Sequence, residues 1–269
     1  MAERLGTVYL VGAGPGDPGL LTCRARDLLV ACDCVVHDYL VNPEILELVP
    51  ATAVRHNVGK RGGATSITQP EINRTIVELA SRHRRIVRLK GGDPFLFGRG
   101  GEEAVALSDA GIAFEVVPGV TSGTGVPAYA GIPVTHRAAS SAVAFVTGHQ
   151  QVGSDDDLDW SSFARIETLV LYMGVHRLAE NCAALIAAGR AADTPACAIQ
   201  WGTYPHQRVV TATLATLARE VAAAGLGAPA ITVIGEVVRY REKIRWFDHP
   251  LRRPLFGRRV VVTRSREQA

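Results

Sequence analysis

The chain has few lysines, no paired cysteines, little net charge and no long apolar run. No stretch approaches the ~20 consecutive apolar residues that a membrane-spanning helix needs. The start, Met1-Ala-Glu-Arg-Leu-Gly, passes almost directly into a strand-like run and lacks the pattern of a signal peptide. A cytoplasmic protein with no membrane partner is the expectation. The cysteines, Cys23, Cys32, Cys34, Cys182 and Cys197, are odd in number and form no C-x-x-C pair. That speaks against a structural zinc and against a disulfide framework; buried thiols in a reducing compartment are the simpler account. The net charge of +3 is spread without a basic block, so a nucleic-acid partner is not expected. No pair of histidines stands at metal-ligand spacing, and no metal is expected.

What is present reads as a globular protein. With 269 residues, 47% hydrophobic and 20% charged, the chain can bury a core and forms one large or two medium domains. Its basic residues are lopsided in type. Of 29 Lys plus Arg, only Lys60, Lys90 and Lys243 are lysine. Two of these stand in glycine-flanked segments, VGKRGG and LKGG. An amine can be tuned to exchange protons and a guanidinium effectively cannot, which favours a chemical role for at least one of them. Chance survival on the surface is the competing account.

Two strand ends are rich in glycine. The run IVRLK leads into Gly91-Gly92-Asp93-Pro94, which neither continues a strand nor opens an ordinary helix. Adjacent glycines let a ligand approach the main chain, and ligands of open α/β sheets sit beyond the carboxyl ends of strands. A tight turn capped by Asp93 is the plainer reading; a second such strand end favours the ligand. That second one is Val8-Tyr-Leu-Val-Gly-Ala-Gly-Pro-Gly-Asp-Pro-Gly19. It imitates a dinucleotide fingerprint and so raises a nicotinamide-dependent oxidoreductase as an alternative. However, the sixth position is Asp17 where glycine is needed, and Pro15 removes a backbone donor. An anionic Asp17 would repel a pyrophosphate. The loop suits a ligand without phosphates, such as S-adenosylmethionine.

Strand-like and helical runs alternate through the first half, predicting a mostly parallel sheet with helices on both faces. Strands are expected at Thr7–Val11, Cys34–His37, Ala53–His56, Ile86–Leu89 and Ala113–Val117. Helices are expected at Gly19–Ala31, Pro43–Leu48, Pro70–Arg82 and Gly101–Ala110. The Gly/Pro/Thr/Ser-rich stretch Pro118–His136 reads as a ligand loop, a short helix around Ser122–Tyr129 and a crossover. The second half restarts with strands at Ala142–Thr147, Thr168–Met173, Pro195–Gln200, Gln207–Thr211 and Ala230–Gly235, and helices at Val175–Ala187 and Leu214–Ala224. A hairpin after Gly202-Thr-Tyr-Pro205 makes this second sheet mixed. Two α/β domains follow, 1–136 and 137–249. Residues 250–269 form a linker and the start of a further strand at Gly257–Arg264.

These motifs together resemble the uroporphyrinogen-III C-methyltransferases of the tetrapyrrole methylase class. The matching segments are VGAGPGDPGLLT, VGKRGG, QPEIN, VRLKGGDPFLFGRGGEE, VVPGVTSG, AYAGIPVTHR, FVTGH, YMG, WGT and PAITVIGEVV, spread over residues 6–249. The two glycine loops are shared across the class; VGKRGG, FGRGGEE and AGIPVTHR are more specific. Residues 257–269 resemble the opening of uroporphyrinogen-III synthase, which would make the chain part of a fusion. The resemblance implies two α/β domains with S-adenosylmethionine in the cleft between them, usually in a homodimer. It carries cofactor contacts to Pro15, Gly91, Gly92, Asp93, Leu96, Thr121, Ser122, Met173, Gly202 and Ala230. It carries an acid/base pair to Asp38 and Lys60, although Tyr39 departs from the family at the position after Asp38. A turn or helix cap is the plain reading of Asp38.

The reaction so implied is transfer of two methyl groups to pyrrole carbons of uroporphyrinogen III, giving precorrin-2 for siroheme or cobalamin synthesis. Holding carbon and methyl ~3–3.5 Å apart in line does most of the work. A carboxylate such as Asp38, or Lys60, then takes a proton from a bridging carbon. The substrate's carboxylates call for guanidinium forks; Arg61, Arg99 and Arg137 are the candidates, each with a plain surface arginine as its rival. A later corrinoid methyltransferase of the same class is the nearest alternative.

Overall fold

The alternation of apolar strands and helices in the first half closes into one parallel sheet. The computed structural model describes residues 5–59, 67–148, 158–251, 253–258, 261 and 263. The elements of the first half are β1 (Thr7–Gly12), α1 (Cys23–Ala31), β2 (Cys34–His37), α2 (Pro43–Leu46), β3 (Val54–Asn57), α3 (Gln69–Ala80), β4 (Arg85–Lys90), α4 (Gly100–Asp109), β5 (Phe114–Val117) and α5 (Ser122–Tyr129). The strand order is β3-β2-β4-β1-β5, parallel throughout. Side chains alternate across the pleat. Val11, Val35, Val87 and Leu89 pack with Leu28 and Leu29 of α1 and Ile45 of α2 on one face. Val8, Leu10, Val36 and Ile86 pack with Ile72, Ile76 and Leu79 of α3 and Leu107 of α4 on the other.

The chain divides into two compact units, and the division falls within α5, between Val126 and Pro127. The second unit holds β6 (Val143–Thr147), α6 (Trp160–Ala164), β7 (Thr168–Tyr172), α7 (Leu178–Ala187), β8 (Pro195–Gln200), β9 (Arg208–Thr213), α8 (Leu217–Ala223), β10 (Ala230–Ile234) and α9 (Arg241–Ile244). Its sheet runs β6-β7-β10-β8-β9. β6 and β7 are parallel, and the other pairings are antiparallel. The expected β8–β9 hairpin and the mixed sheet are both present. Leu169 and Leu171 of β7, Leu185 of α7, Leu217 of α8 and Ile234 of β10 share its core.

Three expected helices begin later than their apolar patterns. The Gly19–Ala31 run splits because Asp17 accepts from Gly19 N (2.7 Å) to cap a 3-10 turn, and Thr22 then caps α1 by accepting from Ala25 N (3.2 Å). Val175–Arg177 is likewise a 3-10 turn ahead of α7. At Leu214–Thr216 the Thr216 hydroxyl accepts from Thr213 N (3.2 Å), holding a turn, and the helix begins at Leu217. α6 was not expected; Asp159, at the end of the acidic run, caps it through Ser161 N (3.1 Å). Half of the strand expected at Gly257–Arg264 lies outside the described residues, as do Ser154–Asp157. Among the described residues no helix is long and apolar enough to cross a membrane.

Candidate active site

The first unit's sheet changes direction between β1 and β4. β1 leads through α1 to β2, while β4 leads through α4 to β5, so the chain leaves these neighbouring strands in opposite directions. Ligands bind beyond the carboxyl ends of strands at such a point. Both glycine loops are there, and they are joined. Gly14 N donates to Gly92 O (3.1 Å), Gly92 N to Gly14 O (2.8 Å), and Ala13 N to Lys90 O (2.7 Å). Gly92 has φ +68, a conformation glycine adopts without strain. The end of β5 closes against both: a Cβ on Gly119 would meet Gly92 O at 2.3 Å and Gly12 Cα at 2.8 Å. Three strand ends are thus locked backbone to backbone.

Gly91 is different. A Cβ there would meet nothing nearer than Leu40 Cβ, at 3.8 Å, and its φ is not in the left-handed region. Nothing within the described fold requires glycine at 91, which leaves open ground beside the main chain. Around it stand other sequence candidates. Ser122 and Thr121, at the start of α5, lie within 4 Å of where a Gly92 side chain would be, and Pro15 packs where a Gly125 side chain would be. Asp93 takes the plainer of its two readings in part. Its carboxylate accepts from Phe95 N (2.8 Å), Leu96 N (3.1 Å) and Gly119 N (3.0 Å), tying the β4 loop to the end of β5. The same bonds fix Leu96.

In the second unit the candidates also share one end of a sheet. Met173 follows Tyr172, which pairs with Ile231; Ala230 pairs with Gln200; Trp201 N donates to Pro229 O (3.2 Å). Met173, Gly202 and Ala230 therefore sit together. A cavity of about 500 Å³ in this unit, lined by Pro195, Arg239, Arg241, Arg245 and His249 among others, contains none of them and lies at the other end of β8. Strain marks the loops that hold the candidates. Every non-glycine residue with positive φ among the described residues is there: Phe97 and Arg99 after β4, Met173 after β7, Trp201 and Thr203 after β8. Such conformations collect at functional sites.

Asp38, directly after β2, does not use its side chain as a cap. Its carboxylate pairs with Arg88 Nη2 (Oδ1, 2.6 Å) and stands 4.0 Å from Lys90 Nζ (Oδ2). The turn that follows is closed by its backbone oxygen, which accepts from Val41 N (3.4 Å). Behind it, Glu103 Oε1 accepts from Arg88 Nε (3.0 Å), Lys90 Nζ (2.9 Å) and Gln69 Nε2 (3.3 Å). Lys90 is buried, and burial followed by the Arg88 charge lowers its pKa, while Asp38 and Glu103 oppose the shift. Arg99 forms a two-pronged pair with exposed Glu102 (2.8 and 2.7 Å), whose hydrogen bonds hold Glu102 below the usual carboxylate range. Arg137 is exposed beside His136, whose ring stacks on Tyr240 (4.0 Å between centroids). Lys60 and Arg61 lie outside the described residues.

Comparison with known proteins identifies the family. The signature described as Tetrapyrrole (Corrin/Porphyrin) Methylases matches residues 7–218. The chain belongs to the tetrapyrrole methylase family. Siroheme synthases of Chromobacterium violaceum and Pseudomonas fluorescens are 53% and 54% identical over 247 and 244 residues, 91% and 90% of this chain. The chain spans about half the length of these relatives, 52% in each case. Among solved structures, a uroporphyrin-III C-methyl transferase from Thermus thermophilus, complexed with S-adenyl homocysteine, is 41% identical, with a TM-score of 0.75 over 87% of this chain and 99% of that one. A cobalt precorrin-4 methyltransferase superimposes with a TM-score of 0.77 at 25% identity, over 86% of this chain and 95% of that one.

Within this methylase, sequence reasoning missed Arg88, Glu103 and Gln69. The signal was legible. Arg88 and Lys90 are charges at alternate positions of the buried part of β4, among Ile86, Val87 and Leu89. Glu103 falls in the helical phase of Gly100, Ala104 and Leu107, the buried face of α4. The left-handed backbone of Trp201 and Thr203, within the segment WGT, has no sequence signature in non-glycine residues.

Proposed function

We propose that the chain is a uroporphyrinogen-III C-methyltransferase. It moves two methyl groups from S-adenosylmethionine to uroporphyrinogen III and gives precorrin-2 for siroheme synthesis, with cobalamin synthesis a second outlet. The observation that carries this reading is the likeness to the Thermus enzyme over 99% of that protein's length. The siroheme synthase relatives favour the siroheme branch. A homodimer in the cytoplasm, with domains 1–136 and 137–249, completes the proposal.

The residues fit the cofactor. A Cβ on Gly91 would meet only Leu40 Cβ, at 3.8 Å, so its main chain is approachable, and the Gly14 and Gly92 amides, spent on each other, are not offered to a phosphate. Pro15, Gly91, Gly92, Asp93, Leu96, Thr121 and Ser122 in the first unit, and Met173, Gly202 and Ala230 in the second, would hold it. S-adenosylmethionine supplies, when bound, an electrophilic methyl on a sulfonium sulfur. The locked strand ends hold their shape on binding, so little ordering cost opposes alignment. The Asp93 carboxylate that anchors the loop also places an acidic group beside the site, which favours a cationic ligand. Asp38 Oδ accepts the proton released from the substrate's bridging carbon, with Lys60 as its acid partner. Arg61, Arg99 and Arg137 bind substrate carboxylates; Arg99 does so by exchanging Glu102 for substrate.

The test is an incubation of the purified chain with uroporphyrinogen III and S-adenosylmethionine under nitrogen, followed by mass analysis. A gain of two methyl groups is expected. Cofactor binding without methyl gain would redirect the reading to a later corrinoid substrate, and absence of cofactor binding would overturn it. Light scattering at about twice the 28.7 kDa chain mass is the expected mark of the dimer.

A further inference from the structure

The first unit buries a charged group that holding the cofactor does not require. Arg88, Lys90 and Glu103 have side-chain exposures of 2%, 3% and 0%, whereas Asp38 is 32% exposed. Two cations therefore meet two carboxylates, and only one carboxylate reaches solvent. The bonds are unevenly shared. Three donors converge on Glu103 Oε1, while Glu103 Oε2 is buried without a partner among the described residues. A buried carboxylate oxygen left unpaired is costly, and buried ion pairs seldom add net stability over apolar packing. An arrangement this poor as a stabiliser calls for another use.

Lysine at 90 is informative in a chain that uses arginine almost everywhere. Arginine already occupies 88, so the strand presents one fixed guanidinium and one amine to the same two carboxylates. Arg88 spans both acids, with Nε on Glu103 and Nη2 on Asp38. Lys90 lies 2.9 Å from Glu103 and 4.0 Å from Asp38.

We infer that Glu103 and Lys90 are positioning residues for Asp38: Glu103 anchors both buried cations, and their division between the two carboxylates sets the orientation and proton affinity of Asp38. This rests on the reading of Asp38 as the base. Among the described residues the other titratable groups near Asp38 are His37 and Tyr39 on its own segment and His56 of β3, which pairs with Val36 across the ladder. His37 Nδ1 is 3.1 Å from Asp38 O, a backbone atom. None of the three bonds to the carboxylate.

The signs of the effects follow. Removing the Lys90 charge takes away a cation that favours ionised Asp38, so its titration moves to higher pH. Removing the Glu103 charge releases both cations to Asp38, so its titration moves to lower pH and its strength as a base falls. A residue that only supports the fold gives no such opposition of sign.

The experiment uses the full chain and the variants Lys90→Met, Glu103→Gln, Lys90→Arg and Asp38→Asn. Two readouts are taken. One is the carboxyl carbon titration of Asp38 by NMR, assigned through Asp38→Asn. The other is the acidic limb of the kcat–pH profile for methylation of uroporphyrinogen III. Lys90→Met should raise both midpoints and Glu103→Gln lower both, each by about half a unit or more, while Lys90→Arg leaves them in place. If Lys90→Met does not fold, the Glu103→Gln shift and the Lys90→Arg constancy carry the test. NMR midpoints that do not move overturn the inference. NMR midpoints that move while the kinetic limb stays fixed overturn the base reading of Asp38 and the positioning role with it.

Discussion

At the scale of single residues, glycines of one motif have different duties. Gly119 is needed by the fold, because a Cβ would sit 2.3 Å from the backbone oxygen of Gly92. Gly91 is not, because a Cβ would meet only Leu40 at 3.8 Å. Gly119→Ala is expected to cost about 3 kcal/mol of stability by overpacking. Gly91→Ala is expected to leave stability within about 0.5 kcal/mol and to weaken S-adenosylhomocysteine binding tenfold or more. Urea unfolding and calorimetric titration separate the two; equal stability losses would remove Gly91 from the site. Asp93 joins both duties. Asp93→Ala leaves the Phe95, Leu96 and Gly119 amides without their acceptor. A loss of about 2 kcal/mol is expected, together with weaker cofactor binding, because the loop that carries Gly91 and Leu96 is no longer held.

At the scale of elements, ends matter more than middles. Arg190, after α7, donates to Ile166 O and to Glu167 O (2.8 Å), joining the end of α7 to the entry of β7. Arg190→Ala should lower stability by about 2 kcal/mol. Arg190→Lys should recover little of it, since an ammonium cannot span two carbonyls as a guanidinium does; urea midpoints decide this. The same contrast explains what could be read from the sequence. β2 and β8 were bounded to the residue, because apolar runs closed by Asp38 and by the Trp201-Gly202 turn leave little freedom. The helices at Gly19–Ala31 and Leu214–Ala224 were read too long, because apolar periodicity does not register a Thr22 or Thr216 hydroxyl that ends one turn and starts another. In the site, the glycine loops were legible since glycine and proline act locally. The buried phase of Glu103 was legible as well, but its pairing was not, because Arg88 and Lys90 are brought to it only when β4 enters the sheet and α4 packs on its face.

At the scale of the whole molecule, the cysteines act through pH. Four of the five are buried: Cys32 and Cys34 around the start of β2, Cys182 in α7 and Cys197 in β8. Burial is the leading cause that pushes their thiols up from an ordinary value of 9.0, to about 11 for Cys32 and Cys182 and about 12 for Cys34 and Cys197. The fold therefore prefers the neutral thiol. A group whose value is raised by folding contributes stability that is whole below its unfolded value and lost as pH climbs toward the folded one. Between pH 9 and 11 the unfolded chain gives up these protons and the folded chain keeps them. Each thiol then lowers stability by up to about 1.4 kcal/mol per pH unit. Lys90 works the other way: its value is lowered from 10.5, so its contribution rises with pH until that point. One amine does not offset four thiols, and stability should fall steeply through this window. Both units carry buried thiols, so both should weaken together. Urea unfolding at pH 8, 9, 10 and 11 measures the slope. Replacing Cys32, Cys34, Cys182 and Cys197 by alanine is expected to lower stability at pH 8, through lost packing, and to flatten the fall above pH 9. A fall of unchanged steepness in that variant would assign alkaline unfolding to other groups.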